Sequence, residues 1–439
     1  MEGVVYAGPD YIVPVADLHP SDPYYMEGRQ WGLNGDYGID IELAWDTTTG
    51  SQEVTVGVID TGISFHEELY TKFSIGYDFY NENNITTDDE DHHGTHVAGI
   101  IAATSNAKGV VGVAPAIKLS ALQVSHWDAE EQDYYIYTSD VLEAISFASG
   151  LWGTPYQISV LNYSVSGFGT NTSLLYSISQ FPGVFVWSAG NERENVDLNT
   201  NIDGFDLPNL ISVGALSSSG VKADFSNYGN NVNIYAPGAG IWSTIPTNNY
   251  ANMSGTSMAA PFVSGVAALL LSDNPGLTAE EVKEAILQGA EDNQILGNNG
   301  VQYQSLRLSA SGAMQYAQQN YDVIPAPLRL SVSGKTDGVW SINLRNPNNY
   351  SVTVAYNSKM CFGDDAKSFS GLSDVVWTTI GAKSSKKVSI SENFLAGWIT
   401  TSIEYTVGGQ RYRVISCAHG LDEGSATFRY YVVHNTILI

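Results

Sequence analysis

The chain has 439 residues, of which 43% are apolar and 11% aromatic, and a net charge of −27. That apolar content excludes a disordered chain, and no apolar run approaches the ~20 residues that a bilayer span requires. The acidic excess excludes nucleic acid and anionic membranes as partners and leaves cations or basic peptides as attracted species, unless it is simply a solvated surface that keeps the protein soluble.

Three units follow one another. Residues 1–20 are a short lead without the basic start and apolar stretch of a signal peptide; either the protein is not exported or the sequence begins after processing or truncation. Residues 1–320 carry 8 Lys/Arg against 37 Asp/Glu, a net −29, and the body of that part is residues 21–320. They alternate short apolar strands with helix-like runs. Strand patterns fall at Thr55–Ile59, Lys118–Val124, Gln157–Tyr163, Val184–Ser188 and Ile211–Gly214, and helical patterns at His93–Ala103, Thr138–Ala148, Leu174–Gln180 and Ser257–Ser272. The alternation predicts an α/β fold with a mostly parallel sheet covered on both faces and active residues at the carboxyl ends of its strands. After the stiff Val323-Ile324-Pro325-Ala326-Pro327 linker the period changes to two, as in Leu328–Val332, Val339–Leu344 and Val352–Tyr356. Residues 321–439, at net +2, therefore read as a small all-β sandwich, immunoglobulin-like in kind. Both cysteines, Cys361 and Cys417, lie there, either as a disulfide or as two buried thiols.

The chemistry concentrates in four segments. Gly255-Thr256-Ser257-Met258-Ala259-Ala260-Pro261 sets a serine at the start of an apolar helix, where backbone N–H groups and the helix dipole can hold an oxyanion; Pro261 is expected in the first turn. Val54–Gly62 is a buried strand that ends on Asp60. Asp91-His92-His93-Gly94-Thr95-His96 opens a small-residue helix, and Ser188-Ala189-Gly190-Asn191 follows another strand. In these segments and in their order the chain resembles the subtilisin-like serine proteases, thermitase-like branch. The resemblance implies that Ser257 attacks the scissile carbonyl, that His93 is its general base and that Asp60 orients the imidazole. It also implies that the Asn191 amide and the Ser257 N–H bind the oxyanion. His96 and His66 are expected to be structural and His92 exposed.

The resemblance assigns substrate binding to Ser164, Val165, Ser166, Gly167, Ala189 and Gly190. Ser166 replaces a usual glycine, and the segment 124–140 is longer than usual and carries Trp127, Tyr134, Tyr135 and Tyr137, which line outer subsites or pack an insertion. Uncharged small walls predict an apolar P1 side chain, whereas Asp203 or Asp206, if aimed inward, would favour a basic one. Calcium is the implied structural cofactor, held by Asp22, Glu68, Asn106 and the carbonyls of Thr104, Lys108 and Val110; hard oxygen donors suit it. Asp78, Asn81 and Asn83 are a second candidate site. The run Asp88–Asp91 reads as a solvated loop whose charge raises the His93 pKa.

Residues 4–11 resemble the end of the inhibitory prodomain of these proteases, which makes the protein's own prodomain an expected partner beside protein and peptide substrates. Together these features predict a secreted, extracellular or cell-surface serine endopeptidase. The competing class is a binding or adhesion protein on the same scaffold; an intact triad argues against it.

Overall fold

The structure is a computed structural model. It describes residues 20–86, 89, 91–128, 133–165, 171–198 and 207–321, and beyond them 329–336, 339–346, 352–357, 376–380, 385–390, 398–407, 410–421 and 429–438. Residues 1–19, the Pro-containing linker, Cys361, Asp203, Asp206, Ser166 and Gly167 lie outside the described residues. Cys417 falls on a described strand, but its side chain lies outside the description as well.

The strands of the first unit are β1 (Thr55–Asp60), β2 (Tyr77–Asp78), β3 (Lys118–Gln123), β4 (Ser125–Asp128), β5 (Asp133–Ile136), β6 (Val160–Tyr163), β7 (Val184–Ser188) and β8 (Leu210–Leu216). They continue with β9 (Ile234–Pro237), β10 (Ile241–Ile245), β11 (Asn249–Met253), β12 (Glu291–Leu296) and β13 (Gln302–Arg307). Its helices are α1 (Pro23–Met26), α2 (Trp31–Asn34), α3 (Ile41–Trp45), α4 (His93–Ala102), α5 (Thr138–Gly150), α6 (Thr172–Gln180), α7 (Thr256–Asp273), α8 (Ala279–Gln288) and α9 (Ala310–Asn320).

Among the described residues nine strands form one sheet in the order β12-β13-β9-β8-β7-β6-β1-β3-β2. All neighbours are parallel except the β12–β13 pair. Alternation along each strand divides two cores. Val56, Val58, Val160, Val184 and Val186 face α4, α7, α8 and α9, while Ile59, Leu161, Phe185 and Trp187 face α5 and α6. This is the doubly covered parallel sheet that the strand–helix alternation predicts.

The apolar helix α7 runs through the first core with all but its final residue buried. Its composition would suit a bilayer, but 94% of its length is covered by the domain itself. Pro261 is not in the first turn, as the sequence reading had it, but at the sixth residue of the helix. Its missing N–H leaves the Ser257 carbonyl without the usual i−4 donor. The Ser164 hydroxyl takes that place at 3.0 Å.

Among its described residues the second unit holds two small antiparallel sheets, the all-β architecture that its period-two pattern predicts. One orders Arg329–Thr336, Val339–Arg345 and Ser385–Ile390; the other contains Val352–Asn357, Val376–Ile380, Trp398–Val407, Gln410–Leu421 and Arg429–Leu438. Arg345 forks onto the Glu53 carboxylate, with Nε donating to Oε2 at 2.9 Å and Nη2 to Oε1. Glu53 is buried and just precedes β1, so this clamp lies at the amino end of the strand, opposite to Asp60.

Candidate active site

The carboxyl ends of β1, β6 and β7 bring the sequence-predicted residues together. Asp60 ends β1 and is 1% exposed, and its Oδ1 accepts the His93 Nδ1 proton at 2.7 Å. The Thr61 N–H, at 2.8 Å, donates to the same oxygen. His93 is the first residue of α4, entered through His92 in the left-handed conformation. The approach of this helix to β1 demands Gly94: a Cβ there would meet the Gly62 carbonyl oxygen at 2.0 Å. Burial alone would lower the His93 pKa. The Asp60 carboxylate, with Asp91 and Asp89 behind it, outweighs that and holds the imidazole well above its ordinary range.

Ser257 is the second residue of α7 and 6% exposed. Its hydroxyl donates to the Ser164 carbonyl at 2.9 Å. Ser164 is therefore bound to Ser257 twice, by its own carbonyl and by the hydroxyl that holds the Ser257 carbonyl. Behind it, Asn162 donates to the Ser164 hydroxyl at 2.9 Å and accepts from Ser264 of α7 at 2.8 Å. This buried chain fixes the start of α7 against the end of β6. The sequence reading missed Asn162 and Ser264; the sole signal was a polar residue inside each of two apolar runs.

Asn191 lies three residues beyond β7. Its Oδ1 accepts the Thr256 N–H at 2.9 Å and the Thr256 hydroxyl at 3.1 Å. A backbone N–H can only donate, so the amide orientation is fixed and Nδ2 faces the side of Gly255, whose Cβ position is 3.7 Å away. Asn227 supports the turn by donating to the Ala189 carbonyl and accepting from the N–H groups of Glu192 and Glu194. Gly190 has a φ of +98°, and a Cβ there would meet Asn227 Nδ2 and Glu192 Oε2, each at 2.5 Å. The exposed Glu192 carboxylate borders Gly190 and is held by Asn227 Nδ2 at 2.6 Å, while Ser166 and Gly167 of the expected uncharged wall lie outside the described residues. Ser164 and Ala189 are buried, and the Val165 carbonyl accepts from Trp187 Nε1 and the Ser188 hydroxyl.

His96 is buried with Nε2 3.1 Å from the carbonyls of Ile241 and Ala251, and burial lowers its pKa to about 4. His66 is likewise buried between Asn249 and Glu68, a structural residue. Asp91 is exposed, as the solvated reading of the loop expects, but Asp89 is not. It is 2% exposed and bonds to the Thr61 hydroxyl and the Thr95 N–H. The long segment after β3 folds as the β4–β5 hairpin, where His126 clusters with Tyr80 and Tyr137 at centroid distances of 4.0 and 4.9 Å.

The residues expected to hold a cation converge in part. Asp22 and Glu68 are both fully buried. Asp22 accepts from the Asn106 N–H and the Ser105 hydroxyl. Glu68 accepts from the Tyr250 hydroxyl and from Asn106 Nδ2, while Asn106 Oδ1 takes the Lys108 N–H. Burial raises both carboxyl pKa values, that of Glu68 to about 7, and Asp22 adds to the Glu68 shift. The Lys108 side chain turns outward to Glu67, and the Thr104 N–H and hydroxyl are both spent on the Glu68 carbonyl. Among the described residues no group of three or more His, Cys, Asp or Glu side chains gathers as a metal site. At the second candidate site the Asp78 carboxylate accepts from the N–H groups of Tyr80 and Asn81 and from the Asn81 amide.

A profile of the subtilase family matches residues 51–305. A thermophilic serine proteinase of Bacillus sp. (strain AK1) is 37% identical over 319 residues, covering 71% of this chain and 73% of that protein. Thermitase of Thermoactinomyces vulgaris is 33% identical over 303 residues, 68% of this chain and 99% of thermitase. Among solved structures, a protease from Pseudoalteromonas arctica PAMC 21717 superposes with a TM-score of 0.57 at 28% identity, covering 68% of this chain and 99% of that one.

Proposed function

The chain belongs to the subtilase family and is a subtilisin-like serine proteinase, and on that premise we propose that Asp60, His93 and Ser257 form its triad and Asn191 its oxyanion donor. The observation that carries the reading is the Asp60–His93 bond at 2.7 Å, which sets the proton on Nδ1 and leaves Nε2 as the base. For attack, the Ser257 hydroxyl exchanges the Ser164 carbonyl for His93 Nε2. The imidazolium then forms beside Asp60, and the imidazole returns the proton to the leaving amine. The oxyanion meets Asn191 Nδ2 and the Ser257 N–H. Losing such an amide costs about 10²–10³ in kcat, a magnitude known for subtilisin itself.

The substrate backbone pairs beside Ser164 and Val165 with its P1 side chain against Ala189 and Gly190, and the buried small walls favour an apolar P1. Glu192 supports a second preference, Lys or Arg. Phe and Arg P1 peptides compared on the parent and on Glu192→Gln separate the two.

A structural calcium ion fits the Asp22–Glu68 centre, because two buried carboxylates, both pushed up by burial and Glu68 further by Asp22, gain from a cation between them. Asp22 and Glu68 would hold it with the Thr104, Lys108 and Val110 carbonyls and the Asn106 amide, once that amide turns its oxygen inward. Calcium supplies stability there and no chemistry. An extracellular or cell-surface location suits such a site, since calcium is abundant there. An inhibitory prodomain is the remaining proposed partner. The test of the activity is casein digestion: the parent degrades it, Ser257→Ala does not, and an alanine variant near the parent rate refutes the triad.

A further inference from the structure

We propose that Asp89 is a positioning residue of the catalytic centre, a second buried carboxylate that ties the strand end bearing Asp60 to the helix start bearing His93. The proposal rests on the triad reading above. Thr61 follows Asp60, and its hydroxyl lies 2.6 Å from Asp89 Oδ1 and 3.2 Å from Asp60 Oδ1. One hydroxyl proton cannot serve both carboxylates, and the shorter contact gives it to Asp89. The Thr61 oxygen then accepts the Gly94 N–H at 2.9 Å. Asp89 Oδ2 accepts the Thr95 N–H at 2.8 Å. Asp89 and Thr61 thereby satisfy two of the donors that open α4, where the N-cap residue His92 offers no side-chain bond.

The bonds close a ring: Asp60 to His93, along the helix to Thr95, across to Asp89, and through Thr61 back to Asp60. Any shift of the imidazole relative to its carboxylate strains this ring. The ring also fixes a negative charge behind the imidazole. The charged groups that face His93 are Asp60 from β1, Asp89 and Asp91 from the loop before α4, and His96 from the same helix. The group that faces Asp89 across Thr61 is Asp60.

A carboxylate that merely caps a helix is replaced by asparagine at little cost. Asp89→Asn therefore separates capping from positioning. Its side-chain oxygen keeps the Thr95 bond and its amide can donate to Thr61, but the charge is gone. The expected result is an acid limb of kcat/KM shifted to lower pH by about 0.5–1 unit, the order of effect of one charge near an imidazole. An acid limb within 0.2 unit of the parent overturns the proposal. Thr61→Val keeps the charge and cuts the tie; kcat should fall about tenfold with KM little changed, and Thr61→Ser should restore it. Failure of the serine variant to recover kcat overturns the tie even if Asp89→Asn does not fold. A parent chain without peptidase activity would overturn the triad reading, and this proposal with it.

Discussion

Ser164→Ala tests how Pro261 and β6 together hold the nucleophile. Pro261 removes the N–H that would bond to the Ser257 carbonyl, and the Ser164 hydroxyl replaces it at 3.0 Å. The alanine variant leaves two buried groups without partners, the Ser257 carbonyl and Asn162 Nδ2. At about 1–3 kcal/mol for each orphaned group, the loss should be about 3 kcal/mol. In melting midpoint that is roughly 5–10 °C. The measurement belongs in a Ser257→Ala background, which suppresses self-digestion and keeps the carbonyl. Pro261→Ala returns a backbone N–H to the same carbonyl. Alone it should change stability little, because the carbonyl is already satisfied. Combined with Ser164→Ala it should recover about 1–2 kcal/mol relative to the sum of the single changes. Midpoints from scanning calorimetry at one scan rate give all four corners of the cycle. Strict additivity would refute the substitution of a side-chain donor for the missing backbone one.

Glu68 has a folded pKa raised from 4.5 to about 7, so without calcium the folded state should lose stability as pH rises from about 4.5 through 7. Saturating calcium should abolish that loss and raise the melting temperature above the value in EDTA; identical melting curves would remove the ion from the account. Gly94→Ala should cost more than about 3 kcal/mol and most of the activity, since its Cβ would lie 2.0 Å from the Gly62 oxygen; a circular-dichroism melt and a peptide assay check both. Glu53→Gln should lower stability while leaving kcat/KM on short peptides within about twofold. It breaks the Arg345 clamp at the amino end of β1, about 20 Å of strand away from Asp60.

Much of this was legible in the sequence because the elements are locally self-consistent. Val184–Ser188 reads as a strand and is one, residue for residue, and the Ser257–Ser272 run forms a helix one residue longer at each end. Asp60, His93 and Asn191 were recognisable because each closes or follows an apolar run at the carboxyl end of the sheet or opens a small-residue helix. What stayed hidden depends on long-range contact. Asp89 sits in the acidic run Asp88–Asp91, which has no periodicity to reveal a buried face, and its bonds to Thr61 and Thr95 exist only after α4 docks on β1. Glu192 follows the oxyanion segment directly, yet its nearness to Gly190 depends on the fold around Asn227. The placement of Pro261 failed for a simpler reason. A proline in the middle of a helix is disfavoured on local grounds, and its compensation comes from a strand 97 residues earlier in the chain, through Ser164.

The most direct test of the triad is covalent labelling with a fluorophosphonate followed by peptide mapping. The parent should be labelled on Ser257, with labelling lost in Ser257→Ala and strongly slowed in His93→Ala. An unlabelled folded parent, or a label on any other serine, would contradict the assignment of Ser257 as the nucleophile.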